Sequence, residues 1–292
     1  MLSLDEKKIR KGKPIGLPYQ GSKKKISKRI VEIIKQNFDT TKPIYDIFGG
    51  GGAITAECIL NGLEVHYNDL DKDITNAFER VISQDREWIK TLIISREEFT
   101  EIKDKENKTT DDFLKLLINS FGNKKRDYLY SKEISDLKYN LAKEIIEKHD
   151  VFRGYKQTET YKRSVEKYKQ LERLQRLEQL ERLQQLEQLQ KLNKIKATNK
   201  SYHTFSDVSG AVLYLDPPYE GSHQKGYINS FDSQEFYDWA FEIAKTNIVM
   251  ISSYSISDER FEVVYSFDKA YSTLQGGKRN NECEKLFMVK GS

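Results

Sequence analysis

One strand–glycine–helix–strand pattern restricts the fold of this chain more than any other feature. A short apolar run, 44–48, is typical of a buried strand and leads directly into four consecutive glycines, Gly49–Gly52. The residues that follow predict a helix over about 53–61, and the run 63–67 predicts a second strand that ends near Asp69. Because a strand–helix–strand unit of this length connects parallel strands, the pattern predicts an α/β fold with a mostly parallel sheet.

The glycine-rich turn and the later acid also indicate a ligand. Glycines let the backbone approach a bound molecule closely, and a carboxylate roughly 20 residues further along suits the hydroxyls of a ribose. The sequence therefore predicts a nucleoside-type cofactor held by Gly49–Gly52 and Asp69. The order of the glycines differs from the usual dinucleotide fingerprint, so NAD is not the favoured ligand.

A second stretch, in the last third of the chain, predicts a binding loop. Val212-Leu213-Tyr214-Leu215 is typical of a buried strand, and it stops at Asp216-Pro217-Pro218-Tyr219. Two successive prolines fix φ and remove two backbone donors, so the strand must end in a stiff loop, where open α/β sheets bind ligands. The loop offers a carboxylate, backbone carbonyls and an aromatic face, which suit a flat polar ring with an exocyclic amine. Taken alone, the same four residues are equally consistent with a surface turn.

The N-terminal region is strongly basic. Residues 1–42 carry twelve Lys or Arg against four Asp or Glu, a local surplus of +8, which suggests a polyanionic partner. Apolar residues at 26, 30, 33 and 34 predict a helix, and Ser22 in the preceding loop is a candidate N-cap. Backbone N–H groups at such a helix start favour a carboxylate. A solvated basic helix start is the alternative.

The middle of the chain, 73–150, is predicted to be mainly helical and polar. Within it, a glycine loop that begins at Phe121 places Lys124, Lys125 and Arg126 next to aromatic residues such as Tyr128. Cations interleaved with aromatic rings suit phosphates and bases, so this loop is a candidate nucleic-acid contact. A solvated loop is the alternative.

Residues 170–192 repeat a near-identical triplet that is typical of duplicated coding sequence. Leucines recur at positions 171, 174, 177, 180, 183, 186, 189 and 192, with Glu, Gln and Arg between them. On an α-helix each step of three residues turns the next leucine back by about 60°, so these leucines cannot form one coiled-coil seam. A helix here must change packing partners along its length or leave some leucines exposed. A structural helix is the expectation, and a dimerising or DNA-facing helix is the alternative.

Strand and helix patterns return after the repeat. Asp232 is predicted to cap a helix with Glu235 at the third helical position, and 248–254 is predicted to be a buried strand. The runs 261–265 and 284–289 are typical of closing strands, with an antiparallel arrangement as one possibility.

Length and composition exclude several classes of protein. The chain has 292 residues, of which 37% are hydrophobic, enough for a sizeable core. Its longest apolar runs fall far short of the roughly 18–20 residues that span a bilayer, and its N-terminus lacks the apolar core of a signal peptide, so a cytoplasmic location is expected. The two cysteines and four histidines are scattered without ligand spacing, so no metal site is predicted.

These motifs together resemble the Dam-like class of N6-adenine DNA methyltransferases over nearly the whole chain. Tyr19-Gln20-Gly21-Ser22-Lys23 is similar to the first cofactor motif of that class, and Phe48, Gly50 and Gly52 stand at the matching positions of its Phe-x-Gly-x-Gly loop. Asp69 is similar to the acid that holds the cofactor ribose. Asp216-Pro217-Pro218-Tyr219 matches the catalytic motif in full.

The resemblance implies a fold, a cofactor and partners. Residues 1–72 and 196–292 would form a Rossmann-like α/β methyltransferase sheet, and residues 73–195 a mainly helical target-recognition insert that includes the leucine repeat. The implied cofactor is S-adenosylmethionine. The implied substrate is duplex DNA, from which the target adenine is flipped, and a cognate restriction endonuclease is a further candidate partner.

The predicted site residues form three groups. The catalytic group is Asp216, Pro217 and Tyr219: the carboxylate and the Pro217 carbonyl would accept hydrogen bonds from the adenine amino group, and Tyr219 would stack on the ring. The cofactor-binding group is Tyr19, Lys23, Asp46, Phe48, Gly50, Gly52, Asp69 and Asp216. The DNA-binding group is Lys124, Lys125, Arg126 and Tyr128.

Four alternatives remain open at this level. In the first alternative the methyl group goes to cytosine N4 in DNA, and in the second to adenine in RNA. An acid rather than serine at position 216 favours adenine over cytosine. The third is methylation of glutamine in a protein, and the fourth is a non-catalytic DNA-binding protein that uses the leucine-rich helix. The segment 109–195 does not obviously carry the recognition hairpin of the GATC-specific members, so the resemblance does not predict a target sequence.

Overall fold

The structure, a computed structural model, describes residues 1–19, 21–168, 176–192, 195–220, 231–267 and 283–291. The chain divides into two units. The first unit comprises Met1–Pro14, Lys23–Thr75 and Lys196–Ser292, and the second unit comprises Ile15–Ser22 and Asn76–Ile195. No helix within the described ranges combines the length and the apolar character needed to cross a membrane.

The first unit is built on one sheet, which has seven strands among the described residues. The strands are β1 (Ile44–Asp46), β2 (Val65–Asn68), β3 (Ala197–Thr198), β4 (Val212–Leu215), β5 (Ile248–Ser253), β6 (Phe261–Ser266) and β7 (Lys285–Val289). Their order is β3-β2-β1-β4-β5-β7-β6. Strands β1 to β5 are parallel to one another, and β7 is antiparallel to both β5 and β6.

Helices of the first unit cover both faces of this sheet. They are α1 (Ser27–Asn37), α2 (Ala53–Leu60), the start of α3 (Lys72–Ser83) and α10 (Ser233–Ile243). Strand β4 is buried along its whole length because its side chains alternate between two cores. Val212 and Tyr214 lie in the core with residues of α1 and α2, whereas Leu213 and Leu215 lie in the core with residues of α10. The first unit therefore has the predicted Rossmann-like α/β fold.

Most predicted elements of this unit are confirmed, with shifted ends. Strand β1 stops at Asp46 rather than at position 48, and β2 starts at Val65 rather than at position 63. The side chain of Asp232 caps α10 as predicted, accepting hydrogen bonds from the backbone N–H groups of Gln234 and Glu235. The closing strands are antiparallel.

The predicted N-cap at Ser22 is wrong. Lys23–Lys25 form a turn of 3-10 helix, in which the Ile26 N–H donates to the Lys23 carbonyl at 2.9 Å. Helix α1 therefore begins only at Ser27, with Ile26 at the N-cap position and no side-chain cap. The Ser22 hydroxyl is buried and has no hydrogen-bond partner among the described residues.

The second unit is mainly helical. Besides the end of α3 it contains α4 (Arg86–Lys90), α5 (Arg96–Asp104), α6 (Thr110–Asn119), α7 (Ser135–His149), α8 (Glu159–Lys167) and α9 (Glu178–Gln190). Helix α9 lies in the leucine repeat and packs against α4 and α6. The repeat leucines in the described ranges are all buried, at positions 177, 180, 183, 186, 189 and 192; Leu171 and Leu174 lie outside those ranges. The described part of the repeat therefore changes packing partners along its length instead of leaving leucines exposed, as one of the two predicted outcomes requires.

This burial leads to a prediction about stability. Leu183 is fully buried at the centre of α9, so Leu183→Ala is expected to lower the free energy of unfolding by about 2–5 kcal/mol. Gln184→Ala, one residue further along and only partly buried, is the matched control and is expected to change stability by less than about 0.5 kcal/mol. Urea unfolding of both variants measures the difference. Equal stability of the two variants would contradict the central position of this leucine.

Candidate active site

The candidate site lies at one edge of the sheet in the first unit. Strands β1, β2, β4 and β5 are parallel, so their carboxyl ends and the loops that follow them meet at this edge. Strand β7 runs the other way beside β5, with Lys285 opposite Ser253. The residue that precedes β7, Glu284, therefore reaches the same edge at the amino end of its strand.

The glycine loop after β1 is shaped by close packing on β2. The Gly49 N–H donates to the Asn68 carbonyl at 2.8 Å. A Cβ atom at Gly49 would lie 2.4 Å from a ring carbon of Tyr67, so no larger residue fits there. Gly52 has φ of +70°, a left-handed conformation that favours glycine, and it is the N-cap of α2. Backbone geometry and packing therefore call for glycine at positions 49 and 52 independently of any ligand.

Asp69 holds the same loop from the end of β2. Its Oδ2 accepts a hydrogen bond from the Gly50 N–H at 2.7 Å, and its Oδ1 accepts one from the Asp71 N–H at 2.8 Å. Burial raises the pKa of Asp69 to about 6 in spite of these two bonds. The predicted ribose acceptor is therefore also a structural support of the glycine loop.

Asp46 and Phe48 directly precede this loop, Asp46 as the last residue of β1. Asp46 is buried, and its Oδ2 accepts hydrogen bonds from the Thr55 hydroxyl at 2.6 Å and the Thr55 N–H at 3.1 Å, which joins β1 to α2. Burial raises the pKa of Asp46 to about 7. The Phe48 ring packs edge-on against Phe236 with centroids 5.7 Å apart, and lies 6.1 Å from the ring of Tyr202.

The loop after β4 brings the predicted catalytic residues together with a cation. Lys23 Nζ donates to Asp216 Oδ1 at 2.7 Å and to the Tyr219 hydroxyl at 2.6 Å. Burial raises the pKa of Asp216 to about 6; the neighbouring carboxylate of Glu284 acts in the same direction, and the Lys23 cation opposes both. Burial disfavours the charge of Lys23, but Asp216 and Glu284 outweigh that effect, so the pKa of Lys23 is raised. Lys23, predicted to bind the cofactor, contacts the catalytic loop in this structure.

Three residues at this edge were not predicted from the sequence: Ser252, Tyr254 and Glu284. Glu284 Oε1 accepts hydrogen bonds from the Tyr219 hydroxyl at 2.7 Å and the Ser252 hydroxyl at 2.6 Å. The ring of Tyr254 packs edge-on against that of Tyr219 with centroids 4.8 Å apart. Polar residues at the end of β5 were a signal for Ser252 and Tyr254. No local sequence signal identified Glu284, because its position at this edge depends on the pairing of β7 with β5.

The second unit contains the predicted DNA-binding loop. Lys124 and Arg126 are exposed, and Lys125 Nζ lies 4.0 Å from the centroid of the Phe113 ring. Tyr128 is only 6% exposed, and its hydroxyl donates to the Ile94 carbonyl at 2.8 Å. We therefore withdraw Tyr128 from the predicted DNA contacts, because its ring belongs to the core of this unit and is not available to a base.

Helix α9 supports this loop through two polar side chains. Gln179 Nε2 donates to Asn119 Oδ1 at 2.6 Å and to the Tyr128 hydroxyl at 3.2 Å. The Arg182 guanidinium donates to the carbonyls of Ile118 and Ser120, the latter at 2.9 Å. The two ends of the loop are thereby attached to the leucine repeat. Tyr19, a predicted cofactor residue, also lies in the second unit, in its short segment Ile15–Ser22.

Comparisons with known proteins add two findings. A family model described as D12 class N6 adenine-specific DNA methyltransferase matches residues 19–281. Among solved structures, the rRNA methyltransferase aviRa from Streptomyces viridochromogenes is similar at 12% sequence identity, over 90% of this chain and 84% of that chain, with a TM-score of 0.36. That TM-score is too low to support an argument. No curated protein matches the sequence.

Proposed function

The chain belongs to the D12 class of N6-adenine-specific DNA methyltransferases, and on that premise we propose how its residues divide the reaction. The protein transfers a methyl group from S-adenosylmethionine to N6 of adenine in DNA. One observation carries the proposed roles: Asp216 and Tyr219 follow β4 at the same sheet edge where the glycine loop and Asp69 follow β1 and β2. The β1–β2 half of this edge suits the cofactor, and the β4 half suits the adenine.

The cofactor half fits a positively charged nucleoside. Two carboxylates of this half, Asp46 and Asp69, are buried, and burial raises their pKa values by disfavouring the charged form; a nearby cation favours the charged form instead. An ionised carboxylate accepts about four hydrogen bonds, so Asp69 retains capacity for ribose hydroxyls beyond its two backbone donors. When bound, S-adenosylmethionine supplies a methyl group on a sulfonium that is already activated. Gly50, Gly52 and Asp69 are the residues we propose to hold it.

Asp216 and Pro217 orient the adenine amino group in this proposal. The lone pair of N6 is delocalised into the ring, which makes the nitrogen a poor nucleophile. Hydrogen bonds from its two N–H groups to the Asp216 carboxylate and the Pro217 carbonyl favour a more tetrahedral nitrogen, while Tyr219 stacks on the ring. Such orientation supplies about 7–11 kcal/mol of barrier reduction in favourable models. With its pKa of about 6, Asp216 is also suited to accept the proton that N6 loses.

We further propose that the adenine reaches this loop by base flipping. N6 is not accessible to Asp216 and Tyr219 while the base is stacked in a duplex, and extrusion costs a few kcal/mol. Phosphate contacts from the basic N-terminal residues and from the loop of the second unit are expected to offset that cost. Fluorescence of 2-aminopurine at the target position reports unstacking directly.

The activity is tested by offering tritiated cofactor to duplex DNA, single-stranded RNA and protein side by side. Label is expected in DNA, as N6-methyladenine in its nucleoside digest. Label confined to RNA or to protein would overturn the DNA acceptor, and label as N4-methylcytosine would overturn the adenine pocket. Methylation-aware sequencing of DNA from expressing cells then identifies the target sequence.

The loop of the second unit is proposed to bind DNA phosphates. Replacing Lys124, Lys125 and Arg126 by glutamine is expected to reduce the slope of log affinity against log salt by about 2–3, since each phosphate contact contributes about 0.9. The exposed lysines Lys103, Lys108 and Lys156, replaced together in a second variant, provide a control with the same loss of charge in the same unit. Fluorescence anisotropy over a salt series measures both. An equal reduction in the two variants would remove the loop from the interface.

Two further proposals concern the partner of the protein and its location in the cell. A cognate restriction endonuclease is the proposed partner, and the cytoplasm is the proposed location. If the protein has a cognate nuclease, DNA from cells that express the protein is expected to resist cleavage by that nuclease. Digestion of purified DNA with the nuclease tests this directly.

A further inference from the structure

Glu284 is a largely buried carboxylate in the adenine half of the site that the proposed mechanism has not used. Its side chain is 13% exposed, and it stands outside the range of the family match, immediately before β7. One oxygen, Oε1, receives all of its described contacts: the hydroxyls of Tyr219 and Ser252, and Lys23 Nζ at 3.8 Å. Burying a carboxylate is costly unless it is paired, so its partners identify its task.

The protons of these contacts can be assigned one by one. Lys23 Nζ has no acceptor capacity, so at 2.6 Å it donates to the Tyr219 oxygen. Tyr219 then has a single proton to donate, and two carboxylates of the described residues accept from its hydroxyl: Glu284 at 2.7 Å and Asp216 at 3.4 Å. The shorter contact takes the proton. The chain of donors runs from Lys23 through Tyr219 to Glu284, and Tyr219 makes no strong hydrogen bond to Asp216.

This assignment matters for Asp216, which already accepts from Lys23 through Oδ1. The Tyr219 hydroxyl reaches the same Oδ1 at 3.4 Å. A full hydrogen bond there would draw negative charge from the carboxylate and so weaken its other oxygen, Oδ2, as an acceptor for an amino group. The negative charge of Glu284 also shares the Lys23 cation, which would otherwise belong to Asp216 alone. Both effects keep the Asp216 carboxylate available as an acceptor for the adenine amino group.

We propose that Glu284 is a positioning residue of the adenine pocket, which takes the Tyr219 proton and part of the Lys23 charge so that the Asp216 carboxylate remains a strong acceptor for the adenine amino group. The inference rests on the proposed role of Asp216. It adds a residue to the site and explains why Tyr219 has a hydroxyl at all, since a phenyl ring would suffice for stacking.

The test is Glu284→Gln, which keeps the shape of the side chain and removes its charge. The amide oxygen that replaces the carboxylate oxygen still accepts, but more weakly than the ionised Asp216, so the Tyr219 proton turns toward Asp216. As a result, kcat at saturating DNA and cofactor is expected to fall about 10- to 100-fold, with both KM values within about twofold. Glu262→Gln on β6, an exposed residue, is the matched control and is expected to retain wild-type kcat. An unchanged kcat in Glu284→Gln would overturn the proposal.

A second measurement needs neither cofactor nor DNA. The side-chain carboxyl carbon of Asp216 is followed by NMR as the pH is lowered, and Glu284→Gln is expected to shift its midpoint to lower pH. Both the lost negative charge and the gained Tyr219 hydrogen bond act in that direction. Among the residues that the structure describes, the ionisable groups that face Asp216 are Lys23, Glu284, Tyr219 and Tyr214, with Asp46 and Asp69 at the same sheet edge. An unshifted midpoint would overturn the proposal.

A third variant separates this inference from its premise and from misfolding. If Asp216→Asn keeps its activity, the role of Asp216 fails; if Asp216→Asn is inactive while Glu284→Gln behaves as wild type, only the role of Glu284 fails. Should Glu284→Gln not fold, Glu284→Asp carries the test, because it keeps the charge and withdraws the acceptor from Tyr219. A loss in kcat of roughly threefold or more is then expected, and wild-type kcat would overturn the proposal.

Discussion

Replacing Asp216 with asparagine is expected to lower kcat about 10²- to 10⁴-fold, the loss typical of a positioned proton acceptor, and alanine is expected to abolish transfer. The amide carries no charge, attracts Lys23 only weakly and is a poorer acceptor for the adenine amino group. DNA affinity is expected to survive, since the proposed phosphate contacts lie elsewhere. Single-turnover transfer and fluorescence anisotropy separate the two quantities.

The control for this experiment is Asp207→Asn, which makes the same chemical change at an exposed position of the first unit. It is expected to leave kcat within about twofold of wild type, as surface substitutions usually do. Turnover of Asp216→Asn at the rate of the control would show that Asp216 is not catalytic.

Asp216 also gives the reaction an acidic limit. Its pKa is raised to about 6, so the carboxylate is ionised above that pH and becomes protonated as the pH falls through it. A protonated acid attracts the amino hydrogens far less. Since this pKa is that of the free protein, kcat/KM is expected to decline about tenfold per pH unit below about pH 6. A rate that rose on acidification would contradict this assignment.

Asp69→Ala is expected to produce the second large effect, a loss of cofactor affinity. Removing a charged acceptor from ribose hydroxyls costs about 1.5–3 kcal/mol, equivalent to a roughly 10- to 150-fold weaker Kd. The same substitution releases the Gly50 N–H, so the glycine loop loses a support as well. Both effects weaken the binding of the cofactor.

Isothermal titration calorimetry with S-adenosylmethionine measures this loss. Asp73→Ala is the control, because Asp73 is exposed and lies only four residues further along the chain, in the first turn of α3. It is expected to bind the cofactor as wild type does. If the two variants bind equally, Asp69 does not contact the cofactor.

Local patterns were sufficient to predict most of the first unit. The apolar run before Gly49 and the run before Asp216 both predicted buried strands, and the alternation of Val212, Leu213, Tyr214 and Leu215 explains why β4 lies between two cores. The strand ends were misplaced by about two residues. At Asp46 and Val65 the limit is set by tertiary pairing rather than by the apolar character of the neighbouring residues.

Contacts between distant residues were harder to predict. Lys23 meets Asp216 across 193 positions of sequence, and Glu284 meets Tyr219 across 65. The first contact depends on a 3-10 turn that the helical pattern of 26–34 concealed, and the second on the antiparallel register of β7. Tyr128 was predicted to contact DNA because basic and aromatic residues alternate around it, yet its ring belongs to the core of the second unit.

The attachment of Gln179 and Arg182 to the loop limits how the leucine repeat can change during evolution. Slippage of the coding repeat adds or removes whole three-residue units, which preserves the composition of the segment and the spacing of its leucines. Each added triplet nevertheless turns the residues beyond it by about 60° and advances them by about 4.5 Å along the helix axis. An insertion within α9 before Arg182 would therefore carry the guanidinium away from the carbonyls of Ile118 and Ser120. We expect natural length variants of this protein to gain or lose triplets outside 179–182, where the phase between helix and loop is preserved.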